Sequence, residues 1–400
     1  MQVAYITDVE GMWQKLESFA SGNPGVSLDG SGLRVAPGWR LVFGGDAMDR
    51  GDGGRRVVRA LLEAKRRQPD HVVLLAGNRD INKLRLWREL NGRPLPKTPR
   101  ELASGPRGPL LRWIFANTMG ARNAFEHRRV ELRGEGLPSG DEDVAQSYLD
   151  ELSEGGAMRS FLEACEVAHR EGDTLYVHGG VTEQSLFHTP RGETEHDVDA
   201  WIAELNRWYR SQLEAFAEGG GGDPLAWSEL IAYQAPSPGL RANRASVVYG
   251  RNVDPLNNPM LPPPEVVAAL RERGIGRLVV GHTPNGDTPS LVRCEGFEVA
   301  VADASHSRVA TAPKVFLGPG LTAEGETELD GGERAAVRLA VDPGDPAIGL
   351  RDPESGYLVK GRLGDGRYLL FRYLEGYRFE QRPEDEKALR RRRLAPAGWA

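Results

Sequence analysis

The sequence predicts an α/β fold in which strands buried on both faces deliver polar residues to one shared site. Three observations carry this. Short apolar runs recur that are too continuous for half-exposed strands and suit a parallel or mixed sheet covered by helices. Each run ends on Asp, Asn or His, and in open α/β sheets ligands gather beyond the carboxyl ends of the strands. Amphipathic helical stretches lie between the runs.

In chain order, VAYIT at 3–7 ends at Asp8, LVF at 41–43 at Gly44-Gly45-Asp46, and HVVLLA at 71–76 at Gly77-Asn78. TLYV at 174–177 ends at His178, and RLVV at 277–280 at Gly281-His282. The helix expected at 55–67 sets Val57, Val58, Leu61 and Leu62 at helical spacing, and another at 265–273 follows three prolines and stops at Gly274. Two long intervals, at about 84–172 and 189–246, read as insertions. The first is mostly helical in pattern, at 110–125, 144–152 and 158–170. The second holds a helix at 198–217 that ends in the glycine run 219–222, a flexible break. From 291 onward the pattern turns to β, at 291–294, 297–301, 336–341, 357–363, 367–374 and 377–380. Gly364-Asp365-Gly366 is a hairpin turn, and the arginines of 390–393 read as a solvated helical end.

At 400 residues the chain can build one large domain with insertions or two ordinary ones. With 40% hydrophobic and 27% charged residues it is an ordinary globular protein, and no run approaches a membrane span. A formal net charge of −6 gives no general attraction to nucleic acid or acidic membranes. Cys165 and Cys294 stand far apart, which excludes a disulfide framework or a cysteine zinc cluster. The VAYIT segment follows no basic start or long apolar stretch, so a cytoplasmic location is expected.

The strongest local signal is Gly45-Asp46-Ala47-Met48-Asp49-Arg50-Gly51. With it stand Asp8-Val9-Glu10-Gly11, Gly77-Asn78-Arg79-Asp80, Val177-His178-Gly179-Gly180 and Gly281-His282-Thr283-Pro284. A dinuclear hydrolase needs two cations roughly 3.5–4 Å apart, hence a bridging carboxylate and separate ligands for each. Asp46 suits the bridge. Asp8 and Glu10 would serve one metal from a single loop, and Asn78, His178 and His282 would complete the other with neutral donors. The cation pair would bind phosphate oxygens and acidify a shared water, giving a bridging hydroxide for in-line attack. Arg50 would face the phosphate, because a planar guanidinium pairs two oxygens at once. Taken singly, each element has a plainer explanation: Asp8 as a helix cap, His178 or His282 as an ordinary histidine, GNRD as a turn. Together, in this order and each closing a strand, they point to a metal site.

This set resembles the calcineurin-like metallophosphoesterases, in particular the branch of the phosphoprotein phosphatases and symmetrical diadenosine tetraphosphatases, with the pattern GD-x-H-G, GD-x-x-DRG, GN-H-[ED], HGG and GH. The resemblance covers 1 to about 310, with the insertions unmatched. It implies a four-layer α/β/β/α sandwich of two mixed β-sheets flanked by helices. By position it implies Asp8, Glu10 and Asp46 as ligands of a first metal, and Asp46, Asn78, His178 and His282 as ligands of a second. Asp49 matches a site-orienting carboxylate and Arg50 a phosphate-binding arginine; Arg251, in VVYGRN, is the candidate for a second. Residues 1–315 then read as the catalytic domain, and 316–400 as a C-terminal β-rich extension that either extends the second sheet or forms a small appended unit.

Two departures matter. Glu10 stands where the family has the histidine of D-x-H, which favours Mn²⁺, Mg²⁺ or Fe over zinc at that position; of the two divalent ions implied, Mn²⁺ is expected first, with Mg²⁺, Fe or Zn²⁺ as alternatives. Arg79 stands where the family has its proton-donating histidine, and arginine gives up no proton at working pH. The expected substrates therefore have good leaving groups, such as phosphoanhydrides or aryl phosphates. His306 reads as an ordinary polar residue beside a sheet, with a proton source as the alternative. The resulting expectation is a metal-dependent hydrolase of a phosphomonoester or phosphoanhydride acting on a small phosphorylated substrate or nucleotide. A nucleotide or dinucleotide polyphosphate hydrolase is the runner-up, favoured if the insertions form a base-binding pocket. From another class comes a catalytically impaired metal-binding scaffold. A nuclease using the arginine-rich 107–133 segment is disfavoured by the acidic balance.

Overall fold

The computed structural model describes residues 1–30, 32–219, 227–340 and 345–398. Two mixed sheets lie face to face with helices on their outer sides, the four-layer architecture expected. The large sheet runs Phe379–Glu384, Tyr368–Tyr373, Leu358–Leu363, Arg334–Ala340, Leu321–Glu328, Lys314–Leu317, Gln2–Ile6, Trp39–Phe43, Val72–Leu74. Only its last three strands are mutually parallel. In the small sheet, Thr174–Val177, Arg277–Val280 and Phe297–Val301 are parallel, flanked by antiparallel edges Ser290–Cys294 and Ala168–Glu171.

The apolar runs are continuous because both faces are covered. Val3 and Tyr5, Val42, Val73, Tyr176 and Val279 join one core between the sheets, where Tyr5 stacks on Tyr176 at 5.9 Å. Their neighbours Ala4, Ile6, Leu41, Phe43, Val72, Leu278 and Val280 face a second core with the helical residues Leu16, Val57, Leu61, Leu205 and Leu270. Each such fully buried Val or Leu contributes about 1.5–3 kcal/mol. Gly54–Arg67, the helix that follows the Asp46 turn, has no side-chain cap of its own. Glu131, from the first insertion, accepts its Arg55 and Arg56 N–H groups at 2.7 and 3.2 Å.

Several expectations are corrected. The helix at 110–125 is two: Arg107–Thr118 stops before Gly120, whose φ of 60° ends it, and Ala124–Gly134 begins afresh. The helix at 158–170 ends at Ala164; Ala168–Glu171 instead forms a hairpin with Thr174–Val177 around Gly172, at φ 61°. The C-terminal β region is no appended unit: it extends one of the two sheets, continuing the large one beside Gln2–Ile6, and Val359 and Leu370 join the inter-sheet core. Arg392 is no solvated end, since it pairs with Asp352 at 2.6 Å and Glu384 at 2.8 Å. Val341 and the glycines at 220–222 lie outside the described residues.

Candidate metal centre

The turns that close the strands are strained, and the strain is selective. Among the described residues, seven non-glycine residues have positive φ, and five of them are Asp8, Glu10, Asp46, Asp49 and His282. A left-handed conformation costs an L-residue roughly 1–2 kcal/mol, so such residues persist where their surroundings hold them. Backbone bonds lace the first two turns together: Asp8 N–H donates to Gly45 O and Glu10 N–H to Asp46 O, both at 2.9 Å. Asp80, fully buried, accepts the N–H groups of Gly77, Asp46 and Ala47 at 2.8–2.9 Å and ties the third turn to the second. A Cβ on Gly77 would lie 2.1 Å from Asp46 Oδ1, so only glycine lets these turns meet.

From these turns the donor atoms converge. His178 Nδ1 donates to Gly44 O at 2.7 Å, which leaves Nε2 facing Asp46 Oδ1 at 3.4 Å and Asn78 Oδ1 at 3.3 Å. Asn78 Oδ1 lies 2.8 Å from His282 Nδ1. Asp8 is held by the Thr7 hydroxyl at 2.6 Å and the His282 N–H at 3.1 Å, and one ligand atom each of Asp8, Asp46 and His178 lie within 4.8 Å of one another. The four residues expected for the second metal therefore form one chain of contacts, with Asp8 beside it.

The charges fit a cation. Burial lifts the Asp8 carboxyl well above its usual range, helped by Asp303. Burial opposes charge on His178, yet the neighbouring Asp46 and Asp8 carboxylates lift it to about 10. Burial opposes charge on Asp46 too, yet His178 and Arg79 hold its carboxyl below the usual range, so positive charge is favoured beside this carboxylate. His282 is pushed well below the usual histidine range by burial, then by Arg251, and is neutral as a metal ligand must be.

No family model matches the sequence, and no curated protein matches it in sequence. Among solved structures the chain is similar to a cold-active protein-tyrosine phosphatase of a psychrophilic Shewanella species, at 17% identity over 84% of this chain and 80% of that one, TM-score 0.49. It is also similar to a protein serine/threonine phosphatase from Saccharomyces cerevisiae, described as similar to human PP5, at 13% identity over 87% and 82%, TM-score 0.39. A metallophosphoesterase from Sphaerobacter thermophilus aligns at 14% identity over 86% and 88%, TM-score 0.29. What the centre can do follows from its own residues.

Arginines rim the donors. Arg251 Nε lies 3.1 Å from His282 Nε2. Arg50 Nε lies 3.3 Å from Glu10 Oε2, and Arg79 Nε 2.5 Å from Glu10 Oε1, so Glu10 faces two guanidinium groups and stands outside the Asp8–Asp46–His178 cluster. Asp49 is buried against Lys83 Nζ at 2.7 Å, with Arg79 Nη1 at 3.6 Å. The donors open onto a cleft of about 480 Å³ walled by Arg85 and Met119 from the first insertion, Gln234 and Pro236 from the second, and Tyr249 and His306. Burial, then Arg50 and Arg79, pushes His306 down to about 4.

Sequence reading missed Asp303 and Lys83. Asp303 is buried, lines the cleft, and follows the strand Phe297–Val301 by two residues. The same strand-end rule that picked out Asp8 and Asp46 finds it. Nothing in the sequence marks Lys83, whose side chain is fully buried under the Asp49 turn.

Proposed function

We propose that the chain is a metal-dependent hydrolase of small phosphate esters or phosphoanhydrides, of the calcineurin-like metallophosphoesterase kind that its motifs resemble. The observation that carries this is the unbroken chain Asp46 Oδ1, His178 Nε2, Asn78 Oδ1, His282 Nδ1, each atom within 3.4 Å of the next, on strained turns at the ends of buried strands. A divalent cation, with Mn²⁺ the first to try, would supply Lewis acidity toward phosphate oxygens and a more acidic water. Asp8, Asp46, Asn78, His178 and His282 would hold it. Gly44 O accepts the Nδ1–H of His178, so Nε2 is the nitrogen turned toward the cation, which would displace the proton that Asp46 and Asp8 hold there.

Arg50, Arg79 and Arg251 would take the charge of the phosphoryl oxygens as it shifts in the transition state. Arg79 donates no proton to a leaving oxygen, and His306 is neutral near pH 7, so leaving groups that depart unassisted are favoured. Insertion residues wall the cleft, which suits a small phosphorylated molecule or nucleotide over a protein tail. The test is turnover by Mn²⁺-loaded protein of p-nitrophenyl phosphate, a nucleoside diphosphate and phosphoserine, beside Asp46→Asn. The first two should turn over faster than the third, and all should be lost in the variant. Bound metal with no turnover across a broad phosphate panel would favour the scaffold reading.

A further inference from the structure

The two positions at which the motifs depart from the family pattern touch each other. Arg79 Nε and Glu10 Oε1 are 2.5 Å apart, and the same nitrogen stands 3.6 Å from Asp46 Oδ2. Glu10 and Asp46 are, with Asp8, the carboxylates that the resemblance implies for the first of two cations. A guanidinium lies against both.

We infer that Arg79 substitutes for that first cation, so that the centre takes a single divalent ion among Asp8, Asp46, Asn78, His178 and His282. The inference rests on the hydrolase reading for the identity of the ion-binding set, and on the placement of Arg79 for the count.

That placement is fixed at both ends. The Arg79 N–H donates to Asp46 Oδ1 at 2.8 Å, and its carbonyl accepts from Lys83 Nζ at 2.8 Å. Its Nη1 faces Asp49, which Lys83 holds from the other side. The side chain is 18% exposed, and Arg50 meets the second oxygen of Glu10. Both oxygens of Glu10 are thus committed to permanently charged arginines. A divalent ion seated on Glu10 would have to displace Arg79 or sit against its positive charge, and the low-dielectric surroundings strengthen that repulsion. Arg79 Nη1 is itself buried and turned to Asp49, so its guanidinium charge stays among the carboxylates where a second ion would otherwise lie.

The count is measured directly. The full chain is dialysed to equilibrium against Mn²⁺, bound metal is quantified by elemental analysis, and the bound ion is examined by electron paramagnetic resonance. The wild type should hold one ion with an uncoupled signal. Arg79→Ala, which frees Glu10 and Asp46, should rise to two ions with an exchange-coupled signal. Glu10→Gln should still hold one, and it carries the test if Arg79→Ala does not fold. Two ions in the wild type, one in Arg79→Ala, or loss of an ion in Glu10→Gln would each overturn the substitution while leaving the hydrolase reading standing. No ion at millimolar Mn²⁺ would overturn both.

Discussion

Two parts of the large sheet solve the same problem differently. At the Gln2–Ile6 and Trp39–Phe43 end, tight turns place Asp8, Glu10, Asp46 and Asp49 at positive φ. In the sheet's antiparallel region, from Lys314 onward, every positive φ among the described residues belongs to glycine, as at Gly332, Gly349 and Gly366. Glycine adopts this conformation without the steric penalty, so a turn that only reverses the chain uses it. Where Asp or Glu occupies the same conformation, the side chain is retained against a cost. Direction adds to this. Parallel strands end at one edge, so their turn residues meet, whereas antiparallel strands scatter theirs over two edges.

This contrast can be broken or sharpened by mutation. The largest effect falls on the strained turns: Asp46→Asn should abolish measurable turnover and weaken Mn²⁺ binding by more than the roughly 10–100-fold typical of losing a residue that only hydrogen-bonds a ligand. Metal titration by calorimetry checks it, and an unchanged affinity would remove Asp46 from the centre. Next comes Lys360, fully buried in the antiparallel region, where burial pushes its ammonium down to about 7 against the pull of Asp287. Its folded value lies below its unfolded one, so between pH 7 and about 10.4 the unfolded chain holds the extra proton and stability rises with pH. Lys360→Met should flatten this rise, by up to about 1.4 kcal/mol per pH unit, in denaturant melts across that window. If the two profiles run parallel, Lys360 is charged in the folded protein.

Smaller effects separate strain from chemistry. Asp8→Gly should be more stable than Asp8→Ala by about 1–2 kcal/mol, because both lose the carboxylate and only glycine relieves φ 51°. Equal melting temperatures would mean that the turn is not strained. Gly366→Ala, at φ 90° in the distant hairpin, should cost about 1 kcal/mol and leave turnover of any substrate unchanged.

The parallel strands were legible because burial on both faces leaves an uninterrupted apolar run, and the residues closing those runs named most of the centre. Leu321–Glu328 was not, since its alternating polar residues resemble a loop until a neighbouring strand pairs with them. The stretch 165–171 carries an amphipathic pattern that suits helix or hairpin, and the Gly172 turn decides it. Sequence placed Glu10 and Arg79 in separate motifs. Their contact is a tertiary fact, invisible to any rule that reads one turn at a time.

Glu131 has a consequence for how this protein can be cut. Besides closing the end of Gly54–Arg67, the first insertion supplies Glu135 and Glu151, at 3.2 and 2.9 Å, to the largely buried Arg55. Trimming 84–172 away to reach a minimal core would leave an open helix end directly behind the Asp46 turn and a guanidinium stranded beneath it. The insertion is a structural tenant that cannot be evicted without loosening the floor under the candidate centre.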